Sequence, residues 1–263
     1  MYAITQTFFF LLCNMNPPYV IQVAVAPVRQ EPSDRAEQIT QFLYSEGIAV
    51  LERREKWSLV RSQLDGYEGW IDNKQYRAMP KGSFKTQLVR SRQAALANES
   101  DVLWVPHGSV LLLDGAGRSF DGRQAEPADV GNALLRDINS ILQTAEIYLN
   151  TPYLWGGRSI WGIDCSGFVQ QVFRLHGLEL PRDAYQQATV GADVLLIGEA
   201  QAGDLVFFDN NEGRITHVGL YLGDGRIIHA SGRVRIDKLD HFGIYHQEEA
   251  RYTHQLRLIK RVV

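Results

Sequence analysis

The feature that most constrains this chain is the junction Gly162-Ile163-Asp164-Cys165-Ser166-Gly167-Phe168-Val169. An acid, a cysteine and a Ser-Gly pair stand immediately before an apolar helical pattern. Phe168, Val169, Val172 and Phe173 fall on one helical face, and Gly177 supplies a stop. Cys165 is therefore expected at a helix N-terminus. There the unpaired backbone N–H groups and the helix dipole favour negative charge, so the thiol is expected to lose its proton more readily and act as a nucleophile. The competing reading is a buried structural cysteine, with Asp164 or Ser166 as an ordinary helix cap.

Composition narrows the setting. A chain of 263 residues holds one large domain or two to three small ones. A net charge of −3 gives no reason to expect nucleic acid as a partner. Cys13 and Cys165 are the two cysteines, too few for a disulfide framework. No CxxC or HExxH pattern occurs, so a structural or catalytic zinc site is not expected, and no other metal or organic cofactor is implied. The run Phe8-Phe9-Phe10-Leu11-Leu12-Cys13 is too short to span a membrane, and no Lys or Arg precedes it. The expectation is a cytoplasmic protein without a transmembrane segment. The alternatives are an exported lipoprotein anchored through Cys13, or a start at Met15.

Four regions follow from the pattern: an N-terminal extension over 1–18, β-rich segments over 19–80 and 81–131, and a mixed region over 132–263. In the first β-rich segment, five short strand-like runs lie between turn signals such as Glu31-Pro32-Ser33-Asp34 and Asp65-Gly66, which suggests a small barrel. Its ending, Gly66-Tyr67-Glu68-Gly69-Trp70-Ile71, resembles the bacterial Src-homology-3 (SH3) type barrel. Trp70 is expected in the barrel core. Pro80-Lys81-Gly82-Ser83 reads as a boundary, and the strand-like runs beyond it as a second, degenerate barrel. In the mixed region, Asn132 is a candidate cap for an amphipathic helix through Leu134, Leu135, Ile138, Ile141, Leu142, Ala145 and Leu149. Asp183 is a candidate cap for a short helix after Leu180-Pro181-Arg182. Strands are expected over 204–208, 216–222, 226–230 and near 255–260.

A catalytic thiol needs a base in reach and a group to orient it. In the strand from Thr216 to Leu222, His217, Gly219 and Tyr221 face one way; Val218, Leu220 and Leu222 face the core. A two-residue turn at Asp224-Gly225 would pair His229 with Leu220, on the wrong face. A three-residue turn over Gly223-Asp224-Gly225 pairs it with Gly219. That puts His217 and His229 on one face as diagonal neighbours, about 7–8 Å apart at Cα. Either histidine alone is an ordinary half-exposed strand residue. Together, downstream of Cys165, they supply a nucleophile, base and orienter.

This arrangement resembles the NlpC-type family of papain-like cysteine peptidases, which cut peptidoglycan stem peptides. The resemblance rests on Tyr153-Leu154-Trp155-Gly156-Gly157, Asp164-Cys165-Ser166-Gly167-Phe168-Val169, Leu180-Pro181-Arg182-Asp183, Gly203-Asp204-Leu205-Val206-Phe207-Phe208, Thr216-His217-Val218-Gly219-Leu220-Tyr221-Leu222 and Ile227-Ile228-His229-Ala230-Ser231. It spans about residues 135 to 260. It implies an α+β papain-like domain preceded by one or two small all-β SH3-like barrels. It also implies Cys165 as nucleophile, His217 as base and His229 as orienter, with the Tyr153 hydroxyl beside the thiol and the Cys165 N–H on the oxyanion.

With barrels in front, the chain is similar to the subgroup that splits γ-D-glutamyl–diamino acid bonds in muropeptides with a free N-terminal L-Ala. In that subgroup the first barrel restricts the substrate. Asp164, Tyr67 and Glu37 are then candidates for the free ammonium, and Ser166 and Arg182 for the D-Glu carboxylate. Trp155 and Asp183 complete the expected substrate-binding set. Some relatives carry a hydroxyl after the Arg-Asp pair; here that position is Ala184. The expected role is recycling or turnover of wall peptides. Its rivals are an amidase or thiol acyltransferase using the same triad, and a non-catalytic wall-peptide binder. The sequence does not fix the oligomeric state.

Overall fold

The computed structural model describes residues 18–210 and 212–263, so the apolar run ending at Cys13 lies outside the described residues. The chain divides into two compact units, residues 1–133 and 134–263. Among the described residues, no helix is long and apolar enough to cross a membrane.

In the first unit, β1 (Tyr19–Ile21), β2 (Val25–Arg29), β3 (Gln38–Leu43), β4 (Gly47–Arg53), β5 (Trp57–Ser62), β6 (Glu68–Asp72) and β7 (Tyr76–Ala78) form one antiparallel sheet. Its order is β3-β2-β6-β5-β4-β1-β7. Alternation sends Ala26, Val28, Val60 and Ile71 into a core with Ile21, Phe42 and Ile48. Between β1 and β2 the strand is interrupted, because the Gln22 N–H turns aside to the Gln75 carbonyl and the Ala24 carbonyl accepts from the Tyr44 N–H. Trp70 is buried, as a core aromatic should be, with the Arg54 guanidinium 4.3 Å over its ring.

Residues beyond β7 form two three-stranded sheets. One contains β9 (Gln93–Ala97), β10 (Val102–Pro106) and β12 (Gln124–Ala125). The other contains β8 (Lys85–Val89), β11 (Val110–Leu113) and β13 (Val130–Gly131). Their core of Val89, Ala94, Leu96, Val105, Leu111 and Phe120 takes in Val20 of β1 and Tyr44, from the turn after β3. Tyr44 stacks on Phe120 at 5.2 Å and donates to Asp121 at 2.7 Å.

The second unit is α+β. Its helices are α1 (Ile138–Ile147), α2 (Cys165–Leu175) and α3 (Ala184–Gln187), and β14 (Arg158–Ser159) pairs with β15 (Gly162–Ile163). The main sheet comprises β16 (Ala192–Val194), β17 (Leu205–Asp209), β18 (Ile215–Gly223), β19 (Arg226–Ser231), β20 (Arg233–Leu239), β21 (Gly243–His246) and β22 (Arg251–Arg261). Its order is β16-β22-β17-β18-β19-β20-β21, and β22 also pairs with β21. The strands β17 to β22 thus close into a barrel, with no free edge among them.

The barrel has two different faces. Outside, Leu205, Phe207, Val218, Leu220, Ile228 and Val234 pack against Phe168, Val169, Val172 and Phe173 of α2. Each fully buried side chain of this size contributes about 1.5–3 kcal/mol. Inside lie Val206, Phe208, Tyr221, Ile227, Leu239 and Ile244. By strand alternation His217 and His229 share that inner face.

The first helix starts later than expected. Asp137, not Asn132, is its cap, accepting from the Ser140 N–H at 3.0 Å. Leu134 and Arg136 stay outside because they serve another helix end. The Leu134 N–H bonds to the Leu175 carbonyl, and the Arg136 guanidinium bonds to the His176 and Gly177 carbonyls, all at the α2 C-terminus. Asp183 does cap α3, in a capping box with Gln186.

Candidate active site

Cys165 is the first residue of α2. Asp164 is the cap, its Oδ1 accepting from the Gly167 N–H at 2.7 Å. A side chain at Gly167 could not be accommodated, because a Cβ there would lie 2.3 Å from the Gly157 carbonyl oxygen. The loop carrying Tyr153 and Trp155 is therefore pressed against the first turn of α2. The Cys165 sulfur lies 4.0 Å from the Thr216 carbonyl oxygen, beside the start of β18.

The hairpin of β18 and β19 sets the histidines. Gly219 pairs with His229, the register expected from sequence. The device differs from the expected three-residue turn. The chain turns on two residues, Asp224 and Gly225, both with positive φ (52° and 64°), so Gly223 pairs with Arg226. A bulge between Tyr221 and Gly223 absorbs the extra residue. The consequence for the face is the same: His217 Nε2 lies 2.8 Å from His229 Nδ1.

The chain of contacts continues through residues that the sequence reading missed. His229 Nε2 lies 3.0 Å from Asp237 Oδ2, and Arg235 donates to Asp237 Oδ1 at 2.9 Å. Both come from β20, whose alternation through Arg233-Val234-Arg235-Ile236-Asp237 was the available signal. In register, Asp237 pairs with Ile227 and Arg235 with His229, which makes Asp237 the diagonal neighbour of His229. His254 of β22 was also missed; its ring stacks on His217 at 4.1 Å and 25°.

An ionised Asp237 can only accept, so His229 carries its proton on Nε2 and presents Nδ1 as an acceptor. His217 must then donate through Nε2. Its remaining nitrogen, Nδ1, holds the lone pair left for the thiol. The nitrogens of His217, His229 and His254 lie within 4.8 Å of one another, a donor set of the kind that holds a metal. Here His217 and His229 are joined to each other, and the His254 ring lies nearly parallel to His217, so the three lone pairs do not converge on one point.

Burial sets the charge states. It pushes His217 well below the usual imidazole value, with His229 and His254 adding to the shift. Burial lowers His229 against the opposing pull of Asp237, and brings His254 down to about 4. Burial pushes Asp237 upward, but its bonds to His229 and Arg235 outweigh this and hold it below the usual carboxylate range. The expectation of a readily ionised thiol is corrected. Burial, helped by the Asp164 charge, pushes Cys165 up to about 12, against the pull of the Val218 and Ser166 backbone. The first turn of a helix lowers a thiol only as far as desolvation allows. At rest Cys165 is a thiol and His217 a neutral imidazole.

Asp164 and Arg182 are bound to each other, bidentately, at 3.0 and 2.6 Å. Arg182 is 2% exposed and also donates to Ser166 Oγ at 2.9 Å; Asp164 further accepts from the Gly156 N–H at 2.9 Å. Both groups thus brace the α2 N-terminus. Tyr153 is half-buried, its hydroxyl pushed upward by burial and then by the neighbouring charges of Cys165 and Asp164. Trp155 is exposed, and Asp183 is at the start of α3. Ala184 is buried there and offers no hydroxyl. In the first unit, Tyr67 is half-buried and Glu37 exposed.

The chain matches known proteins over both of its units. The model of the NlpC/P60 family matches residues 150–255, and that of the bacterial dipeptidyl-peptidase Sh3 domain matches residues 28–75. The chain is 33% identical to a gamma-D-glutamyl-L-lysine dipeptidyl-peptidase of Bacillus subtilis (strain 168), over 73% of this chain and 71% of that one. It is 38% identical to dipeptidyl-peptidase 6 of Lysinibacillus sphaericus, over 84% of this chain and 91% of that one. Among solved structures, an NlpC/P60 family protein from Bacillus cereus ATCC 10987 has the same fold. Its TM-score is 0.80 at 23% identity, covering 93% of this chain and 99% of that one.

Proposed function

Because this chain belongs to the NlpC/P60 family of cysteine peptidases, we propose that it hydrolyses the bond between D-glutamate and a diamino acid in peptidoglycan stem peptides, through Cys165. The observation that carries this reading is a helix-start thiol 4.0 Å from the Thr216 carbonyl, next in the chain to His217, whose ring is joined in a chain with His229 and Asp237. The family and the matching relatives support the substrate class.

In this mechanism the Cys165 thiol passes its proton to His217 Nδ1 as the sulfur attacks the γ-carbonyl of D-Glu. The Cys165 backbone N–H, in the first turn of α2, stabilises the oxyanion. The imidazolium then protonates the departing amine, and a thioester remains. Water, deprotonated by His217, hydrolyses the thioester and restores the thiol. His229 and Asp237 keep His217 in the productive tautomer throughout. The pair Asp164 and Arg182 holds the α2 N-terminus in place, and Ser166, Tyr153 and Trp155 stand near it as candidate substrate contacts. Preference for a free N-terminal L-Ala is part of the same proposal, which takes Asp164, Tyr67 and Glu37 as its candidates from the resemblance alone.

The test uses L-Ala-γ-D-Glu-L-Lys and its meso-diaminopimelate counterpart, each free or acetylated on the L-Ala nitrogen, with products read by mass. Release of L-Ala-D-Glu is expected from the free peptides, and its loss in Cys165→Ala. Turnover by that variant would remove Cys165 as nucleophile. Equal cleavage of the acetylated peptides would keep the hydrolysis and remove the roles assigned to Tyr67 and Glu37.

A further inference from the structure

We propose that a cavity of about 630 Å³ beside His217 seats the leaving half of the substrate, an aliphatic side chain ending in a primary ammonium, with Asp209 as its counter-charge. The proposal deepens the reading above and rests on it.

Position is the first argument. The cavity is lined by Thr216 and His254, two residues that also border the catalytic cluster. The Thr216 carbonyl is the oxygen 4.0 Å from the Cys165 sulfur, and the His254 ring is the one stacked on His217. His217 is the group that protonates the departing amine. Whatever follows the scissile bond therefore passes His217, and the ring stacked on His217 forms part of this cavity's wall.

Chemistry is the second. The volume falls within the range of small-molecule sites, roughly 300–1,000 Å³. Phe242 and Tyr252 line it and are 60% and 45% exposed, so two aromatic surfaces are available to a methylene chain and to a cation. Asp209 lies at the end of β17, its side chain only 10% exposed. Its ion-pair partner, Arg257, is 3.5 Å away with a side chain 59% exposed, a long contact at the surface. A second carboxylate stands behind the wall: Asp240 accepts from the Tyr252 hydroxyl at 2.6 Å. Asp209 is the one carboxylate in the lining itself, with Asp240 behind it, set against the Arg257 guanidinium and the His241 imidazole, while His254 is neutral. Asp209 is thus the group to which a cation would be drawn. Lysine and meso-diaminopimelate share the required group, an ammonium at the end of a short aliphatic chain.

The experiment measures kcat/KM on L-Ala-γ-D-Glu-X, where X is L-lysine, meso-diaminopimelate or L-norleucine. Norleucine keeps the aliphatic chain and lacks the ammonium. The two ammonium-bearing peptides are expected to exceed the norleucine peptide roughly tenfold or more, with the ratio falling toward one in Asp209→Asn. Equal cleavage of all three by the unaltered protein would overturn the cavity assignment and leave γ-D-glutamyl hydrolysis standing. Cleavage of none would overturn the hydrolysis, and the cavity assignment with it. Should Asp209→Asn not fold, the unaltered protein still gives the ratio. Phe242→Ala, at an exposed position, is then expected to raise KM several-fold with kcat held. An unchanged KM would remove the aromatic wall from the site.

Discussion

Replacing Asp237 by asparagine keeps the shape beside His229 but removes the obligation to accept. An amide can turn its NH2 toward His229, reverse both imidazoles and leave His217 with a proton facing the thiol. The expected result is a fall in kcat of roughly 10²-fold or more, as for the tautomer-fixing aspartate of a serine triad, with KM nearly unchanged. Steady-state kinetics on the tripeptide checks this; a variant with native kcat would break the proton chain. The pH profile belongs to the same residues. Burial lowers His217, so on raising the pH it becomes a free base below the ordinary value of about 6.5. The acid limb of kcat/KM is therefore expected below that value, and a limb above it would contradict a desolvated His217. Cys165, His217 and His229 were legible because each sits in a distinct pattern. Asp237 was missed although it lies in the next strand of the same hairpin run, where alternation marks it. His254 was not legible, because only the pairing of β22 with β17 and β21 brings its strand across to His217.

Elements place these side chains to within a single residue of register. A one-residue slip between β18 and β19 would turn His229 to the opposite face. Alternation and glycine spacing revealed the register but not how it is made, since a three-residue turn and a two-residue turn with a bulge absorb the same number of residues. Gly219 is where the hairpin is most sensitive. A Cβ there would lie 2.7 Å from Ile227 Cδ1 and 2.9 Å from His229 Cβ. Gly219→Ala is expected to lower stability by about 1–3 kcal/mol and to depress kcat by displacing His229. Thermal melting and kinetics measured together test it, and loss of stability with native kcat would show that His229 tolerates the push. At α2, Asp164→Ala removes a helix cap and leaves the buried Arg182 uncompensated. A loss of about 3–5 kcal/mol is expected from denaturant unfolding. A loss below 1 kcal/mol would mean that Arg182 finds another partner.

Over the whole molecule, the second unit carries its own apolar clusters on both faces of its sheet. Residues 134–263 produced alone are expected to melt cooperatively. A non-cooperative melt would show that the unit depends on the rest of the chain. The α+β character of this unit and the β-rich nature of the preceding one were legible in strand and helix periodicity, whereas the papain-like expectation came through the resemblance alone. The first helix began too early in the sequence reading because Leu134 and Leu135 continue its apolar spacing, whereas the fold uses this stretch to close the far end of α2. The barrel itself has a consequence for the order of events during synthesis. Strand β22 comes after β16 to β21 in the chain, yet in the sheet it lies between β16 and β17 and joins β21. A ribosome-bound chain that has emerged only as far as Ala250 already has Cys165, His217, His229 and Asp237, but lacks His254 and the strand that completes the ring. The nascent enzyme is thus held unfinished until its closing strand is free of the exit tunnel, and the peptidase matures after translation of that strand rather than during it.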